Sequence, residues 1–197
     1  MRRVPLVPTL IVGIAVAAMI ALGLWQLLDR LPQKEAFLAQ LAGNPAKPAI
    51  TFPAVPDDRL LFRRTMVTCI PPIDQSLQGA GAAGYRIIAR CRIAGAAERL
   101  AVQLGTTRDP AYAVAWPGGP VSGFISHAPS DRSLIGSLFD HHAQPMLLVA
   151  DTPPRGLVAN HRPDIGAVPN NHLAYAIQWF FFAAVASVIY ALALRRR

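Results

Sequence analysis

A chain of 197 residues with 53% hydrophobic residues and a formal charge of +8 is sized for one globular domain plus segments that need not fold in water. Such a charge would suit a nucleic-acid surface, but five of the nineteen basic residues are Arg2, Arg3 and Arg195 to Arg197, while the other fourteen are set against eleven acids. The excess therefore lies beside apolar ends, which excludes a nucleic-acid partner and points to membrane flanks.

After a tail of residues 1–6, residues 7–28 predict a first transmembrane helix, long enough for the roughly 20 residues a bilayer core requires. Its apolar run exceeds a usual signal h-region and no small-residue cleavage site precedes Trp25, so a retained span is expected rather than a cleaved leader. Gly13, Ala17 and Ala21 recur four apart, a stripe on which another helix could pack. The span closes with Trp25 as an interfacial ring and Arg30 within reach of headgroups, whereas Gln26 is harder to explain as an anchor.

Residues 29–56 read as a surface helix over Gln33 to Leu41, ended by Gly43-Asn44-Pro45, and then a Pro-rich extended linker. Residues 57–152 form the outside domain. Strands are predicted over Arg64 to Ile70, Tyr85 to Ile93, Arg99 to Leu104, Tyr112 to Ala115, Val121 to Ser126 and Met146 to Ala150, with a helical turn or loop over Ser133 to Phe139. Breakers at Pro71-Pro72 and Gly79 to Gly84 set a turn near residue 80, which places Cys69 opposite Cys91 on one face, with Arg90 and Arg92 on the other. Two readings of the cysteines stand: a disulfide, permitted outside the cytoplasm, and a pair of buried thiols.

Residues 153–171 lead back to a second span over residues 172–194, and residues 195–197 form the closing tail. The fold class is thus a membrane protein of α+β type, two transmembrane helices flanking a β-rich antiparallel domain. Positive flanks resist translocation, so both termini are expected in the cytoplasm and the domain in the periplasm of a bacterial inner membrane.

The second span opens on more chemistry than a span needs: Asn171, His172, Tyr175, Gln178 and Trp179. On a helix His172, Tyr175 and Trp179 recur at i, i+3 and i+7, at the depth where the first span presents Trp25, Gln26 and Arg30. An aromatic belt with Asn171 as helix cap and a cofactor site both account for this pattern. Elsewhere, His141-His142 lacks the spaced third and fourth ligands of a zinc site, and Ser122, Ser126, His127 and Asp131 form no nucleophile elbow. The chain shows no constellation expected of an enzyme.

Gly23, Trp25, Gln26, Arg30 and Lys34 at one end, with Asn171, His172, Leu173, Tyr175, Gln178, Trp179 and Phe180 at the other, resemble the signatures of the Surfeit-locus-1 family of cytochrome c oxidase assembly factors. Gly84-Tyr85 and Gly118 to Gly123 resemble family blocks of the intervening domain, whereas Val102 to Arg108 departs from an Asn-Arg-Gly-Trp-like stretch, as in a divergent bacterial member. The resemblance implies assistance in building the haem a-containing catalytic subunit of an oxidase or its assembly intermediates, with haem a binding and contact with haem A synthase. It makes His172 the candidate ligand to haem iron, Tyr175, Trp179, Trp25 and Phe182 the walls, and Arg30 a partner for propionates. Gln26 and Gln178 would contact the same group or hydrogen-bond each other between the helices. A membrane scaffold that chaperones an oxidase subunit without binding haem is the alternative.

Overall fold

The computed structural model describes residues 5–93, 99–113, 115–129 and 143–196. The chain divides into two compact units, Met1–Ala39 with Gly166–Arg197, and Gln40–Ile165.

The first unit is helical. Helix α1 (Leu6–Trp25) passes without interruption into a π-helical segment, Gln26–Arg30, and then into α2 (Leu31–Gly43). Pro32 therefore does not end the helix, and the predicted surface helix over Gln33 to Leu41 is the continuation of the same rod. The reason is local: a proline ring inside a helix presses on the carbonyl four residues earlier, here Leu28, and offers no N–H. The wider π turn, in which Leu31 N–H donates to the Gln26 carbonyl, accommodates both effects. Helix α3 (His172–Arg196) starts at the predicted residue.

α1 and α3 pack antiparallel along a narrow seam. Its half-buried and buried positions are Thr9, Val12, Val16, Met19, Gly23 and Gln26 on α1, and His172, Ala176, Trp179, Ala183, Ala186 and Tyr190 on α3. Both sets follow alternating steps of three and four, the spacing of knobs-into-holes packing. Ala176 and Ala183 are buried, and at Gly23 an added Cβ would come within 2.7 Å of the Phe180 ring. Close approach in lipid depends on such small residues. The predicted stripe Gly13, Ala17 and Ala21 faces outward instead and takes no part in this seam.

The second unit is a closed five-stranded barrel of β1 (Arg64–Gly79), β2 (Tyr85–Ile93), β3 (Arg99–Thr107), β4 (Gly119–His127) and β5 (Met146–Ala150), in the order β1-β2-β3-β5-β4. The pairing of β3 with β5 is parallel, which corrects the wholly antiparallel expectation; the other pairs are antiparallel. This is the arrangement of an OB-type Greek-key barrel. Inward positions alternate along each strand, and Val67, Ile87, Ala89, Val102, Leu104 and Leu148 fill the interior. Each fully buried Leu, Ile or Val contributes about 1.5–3 kcal/mol relative to exposure.

Two predictions along β1 are revised. Pro71-Pro72 does not break the strand; the pairing register shifts between Ile70 and Asp74, where β1 uses four residues against two on β2. Proline lacks a ladder donor and is tolerated at such a bulge. Because the hairpin turns about Gly81–Ala83 rather than near residue 80, and the bulge offsets only part of that shift, Cys69 pairs with Ile93 rather than with Cys91. Cys69 and Cys91 still share the inner face, diagonally, and are joined in a disulfide with their Cα atoms 5.4 Å apart. A crosslink of that span stabilises by roughly 3 kcal/mol, largely by restricting the unfolded chain.

Tyr112, predicted in a strand over Tyr112 to Ala115, lies in a turn, where its hydroxyl donates to the Arg155 carbonyl. The helical turn or loop expected over Ser133 to Phe139, and the pair His141-His142, lie outside the described residues. The segment after β5 is fastened to the barrel: Thr106 and Val158 exchange backbone hydrogen bonds, and Asn160 donates to the carbonyls of Gln103 and Ala150.

Asn44, expected only to help end a helix, is 1% exposed and ties together the entry to the barrel. Its amide donates to the carbonyls of Arg59 and Leu61, both at 2.8 Å, and its oxygen accepts from Lys47 Nζ. Asn44→Ala leaves two carbonyls without their donor, so a loss of roughly 2–4 kcal/mol is expected. Thermal denaturation of the detergent-solubilised chain, followed by the far-ultraviolet signal of the sheet, measures it; an unchanged midpoint would show that water replaces the amide.

Candidate functional site

The helix ends brought together by the antiparallel seam carry the predicted site. His172 is the first residue of α3, and the N–H of Tyr175 donates to the Asn171 carbonyl at 3.0 Å, closing the first turn. Opposite it, Gln26 opens the π segment. Nδ1 of His172 lies 2.7 Å from Oε1 of Gln26, a hydrogen bond between residues 146 apart in sequence. At the far end of the same seam the hydroxyls of Thr9 and Tyr190 are hydrogen-bonded, which fixes the register of the two helices at both ends.

The Gln26–Gln178 pair considered from sequence does not form: Gln26 is engaged by His172, and Gln178 is exposed on the outer side of α3. Trp25 and Tyr175 are 47% and 48% exposed, and Phe182 is 43% exposed. Trp25 and Tyr175 lie at the exposed surface beside the His172–Gln26 pair, and Phe182 lies roughly three turns further along α3, so the rings do not enclose a slot; Gly23, Ala176 and Phe180 lie in the seam between the helices. Trp179 is half-buried and meets Phe182 edge to face, with centroids 6.3 Å apart. The guanidinium of Arg30 lies over the Trp25 ring, 5.4 Å from its centroid. Cation and aromatic face are thus already associated.

The sequence singles out His172, Gln26, Gln178, Trp25, Tyr175, Trp179, Phe182 and Arg30, but not which of them touch, and not the Thr9–Tyr190 pair. The π segment was missed altogether. The signal available was Pro32 inside a run otherwise fit to be helical.

Among the described residues, other titratable groups do not gather into a rival centre. His127 Nε2 is 2.9 Å from Asp58 Oδ1 on the exposed surface of the barrel, and no group of three or more His, Cys, Asp or Glu suited to a metal occurs among the described residues. A cavity of about 380 Å³ in the barrel unit is lined by Arg64, Phe124, Asp151, His161 and Arg162, with Arg64 paired to Asp151 at 2.7 Å.

The helices are long and apolar enough to cross a membrane, over Leu6–Ala46 and Ile165–Arg196, and only 6% of each apolar window is buried. A core helix of a soluble protein would hide most of that surface. The SURF1 family model matches residues 13–184, covering most of α1, the whole barrel and the polar start of α3. The chain belongs to the SURF1 family. This family is linked to cytochrome oxidase assembly and is one of assembly factors rather than catalysts. Family membership and the two apolar helices together mark a membrane protein. No curated protein sequence matches the chain.

Proposed function

We propose that this SURF1-family chain assists the delivery or insertion of haem a into the catalytic subunit of a haem-copper oxidase, holding the haem transiently at His172. The supporting observation is the His172–Gln26 hydrogen bond at 2.7 Å, where α1 and α3 meet. It occupies one ring nitrogen and leaves Nε2 as the nitrogen offered to a ligand. An imidazole with its other nitrogen so engaged is the usual form of a metal-binding histidine.

The neighbouring side chains fit such cargo. Trp25, Tyr175, Trp179 and Phe182 supply flat apolar surface, and Arg30 supplies a cation suited to propionates. Gln178, exposed on the outer side of α3, would contact the edge of the group. Haem is here passed on rather than used, so the residues bind and orient it and no reaction is required of them. In this reading both termini lie in the cytoplasm of a bacterial inner membrane, with the barrel in the periplasm. The basic ends, Arg2 with Arg3 and Arg195 to Arg197, support that orientation. The oxidase catalytic subunit or its assembly intermediates, haem A synthase and the surrounding lipid are the partners.

Deleting the gene and recording reduced-minus-oxidised spectra of the membranes tests the proposal. A fall in haem a, restored by the gene in trans, is the expected result; unchanged haem a would overturn the assembly role. The exposure of Trp25, Tyr175 and Phe182 also suits a second reading, in which these rings meet an oxidase helix and no haem is held. A deletion that lowers haem a in the oxidase, combined with purified protein that never carries haem, would favour that scaffold.

A further inference from the structure

Gln26, a candidate cofactor contact and a tie between the helices, is given a third role by its hydrogen bond to His172. We propose that Gln26 is a positioning residue that holds His172 in the tautomer protonated on Nδ1, so that Nε2 keeps the lone pair a metal requires. The proposal rests on the haem reading for its purpose, though not for its evidence.

The evidence begins with the atoms. The contact runs from Nδ1 of His172 to Oε1 of Gln26 at 2.7 Å, at the short end of the range for N–H···O bonds. A carboxamide oxygen accepts and cannot donate, so the proton between them belongs to Nδ1. In a neutral imidazole the other nitrogen is then unprotonated. Free neutral histidine distributes its proton between both nitrogens; a fixed acceptor on one side removes that ambiguity before any ligand arrives.

The backbone explains why Gln26 stands there. Gln26 begins the π segment, its carbonyl accepting from Leu31 five residues on, and the segment accommodates Pro32. One turn before it, Gly23 is buried against the Phe180 ring, where an added Cβ would lie 2.7 Å from ring carbon. The helices are therefore tightly packed next to the site, and the carboxamide side chain of Gln26 reaches His172 across the seam. Both partners are half-buried, which limits competition from water for the bond. The opposite orientation, with the Gln26 NH₂ donating to an unprotonated Nδ1, would place the proton on Nε2 and block the ligand atom. The two orientations make opposite predictions.

Full-length protein labelled with ¹⁵N-histidine, purified in detergent without haem, decides between them. The ring nitrogens of His172, identified by comparison with His172→Ala, are expected to show Nδ1 protonated and Nε2 unprotonated. Gln26→Glu, which retains an acceptor, should preserve this pattern, whereas Gln26→Leu should move it to a mixture of tautomers. A protonated Nε2 in the unsubstituted protein, or a pattern unchanged in Gln26→Leu, would overturn the proposal.

Titration with haemin as the probe then tests the reading beneath it. Gln26→Leu is expected to bind about tenfold to a hundredfold more weakly, as losses of an outer partner of a metal ligand usually do. Gln26→Glu should retain binding and lower the haem midpoint potential, because an anionic acceptor makes the imidazole a stronger donor. A mere packing role for Gln26 would not produce that shift. If the tautomer is as stated and no variant, nor the parent, binds haemin, the haem reading fails while the positioning of His172 stands.

Discussion

His172→Ala is expected to yield a protein that reaches the membrane in normal amount yet, purified from cells that make haem A, shows none of the visible absorption of its parent. The deficit should exceed the roughly tenfold to hundredfold loss that removal of an outer partner causes, because the iron would lose its ligand. Insertion should survive for a structural reason. His172 sits at the first position of α3, and the seam below it is held by Gly23 against Phe180, by buried Ala176 and Ala183, and by the Thr9–Tyr190 hydrogen bond. Optical spectra normalised to protein provide the measurement. Haem retained at the parental level would reject His172 as ligand and return the site to a belt of interfacial rings.

The second large effect belongs to the barrel. Gly123 lies on β4 opposite Ala150 of β5, and a Cβ built there would lie 2.0 Å from the Val149 carbonyl oxygen. The obstacle is backbone in a closed barrel, so the strands must separate and the ladder between β4 and β5 must open. Ordinary overpacking costs about 1–3 kcal/mol, and a clash with backbone should reach or exceed the upper end. That is a large share of the roughly 5–15 kcal/mol that holds a domain together. Gly123→Ala is therefore expected to make the barrel susceptible to limited proteolysis, in contrast to Gly79→Ala, where nothing lies within 4 Å of the new carbon. Equal resistance in the two variants would show that the strand pair can relax.

Much of this molecule was legible in one dimension because its elements depend on local pattern. Two apolar runs with basic flanks announce two helices suited to a membrane, since transfer free energy depends on composition over roughly 20 residues and hardly on neighbours. Met146 to Ala150 is found as β5 with the predicted bounds, and Arg99 to Leu104 and Val121 to Ser126 lie within β3 and β4. Period-two alternation also put Cys69 and Cys91 on one face, next to Val67 and opposite in direction to Arg90 and Arg92.

Register was less accessible. A bulge at Pro71-Pro72 lets a strand pass residues that read as breakers, and a hairpin turn at Gly81–Ala83, later than expected and only partly offset by the bulge, sets Cys69 opposite Ile93 rather than Cys91. The parallel pairing of β3 with β5 depends on how the chain closes the barrel, to which a strand's own residues are indifferent. Asn44 looked like a turn residue because its partners, the carbonyls of Arg59 and Leu61, are 15 and 17 residues away.

The sequence by itself determined the two apolar helices, the basic ends, the β-rich middle and the residues of the candidate site. Only the tertiary structure decided that Gln26, not Gln178, meets His172, and that Trp25, Tyr175 and Phe182 stand outside the seam. The reason is rotational: a π turn at Gln26–Arg30 and the close contact at Gly23 set which face of each helix meets the other, and one residue of phase turns a helix by about 100°. Which face of each helix turned inward was thus a matter of packing between segments some 146 residues apart.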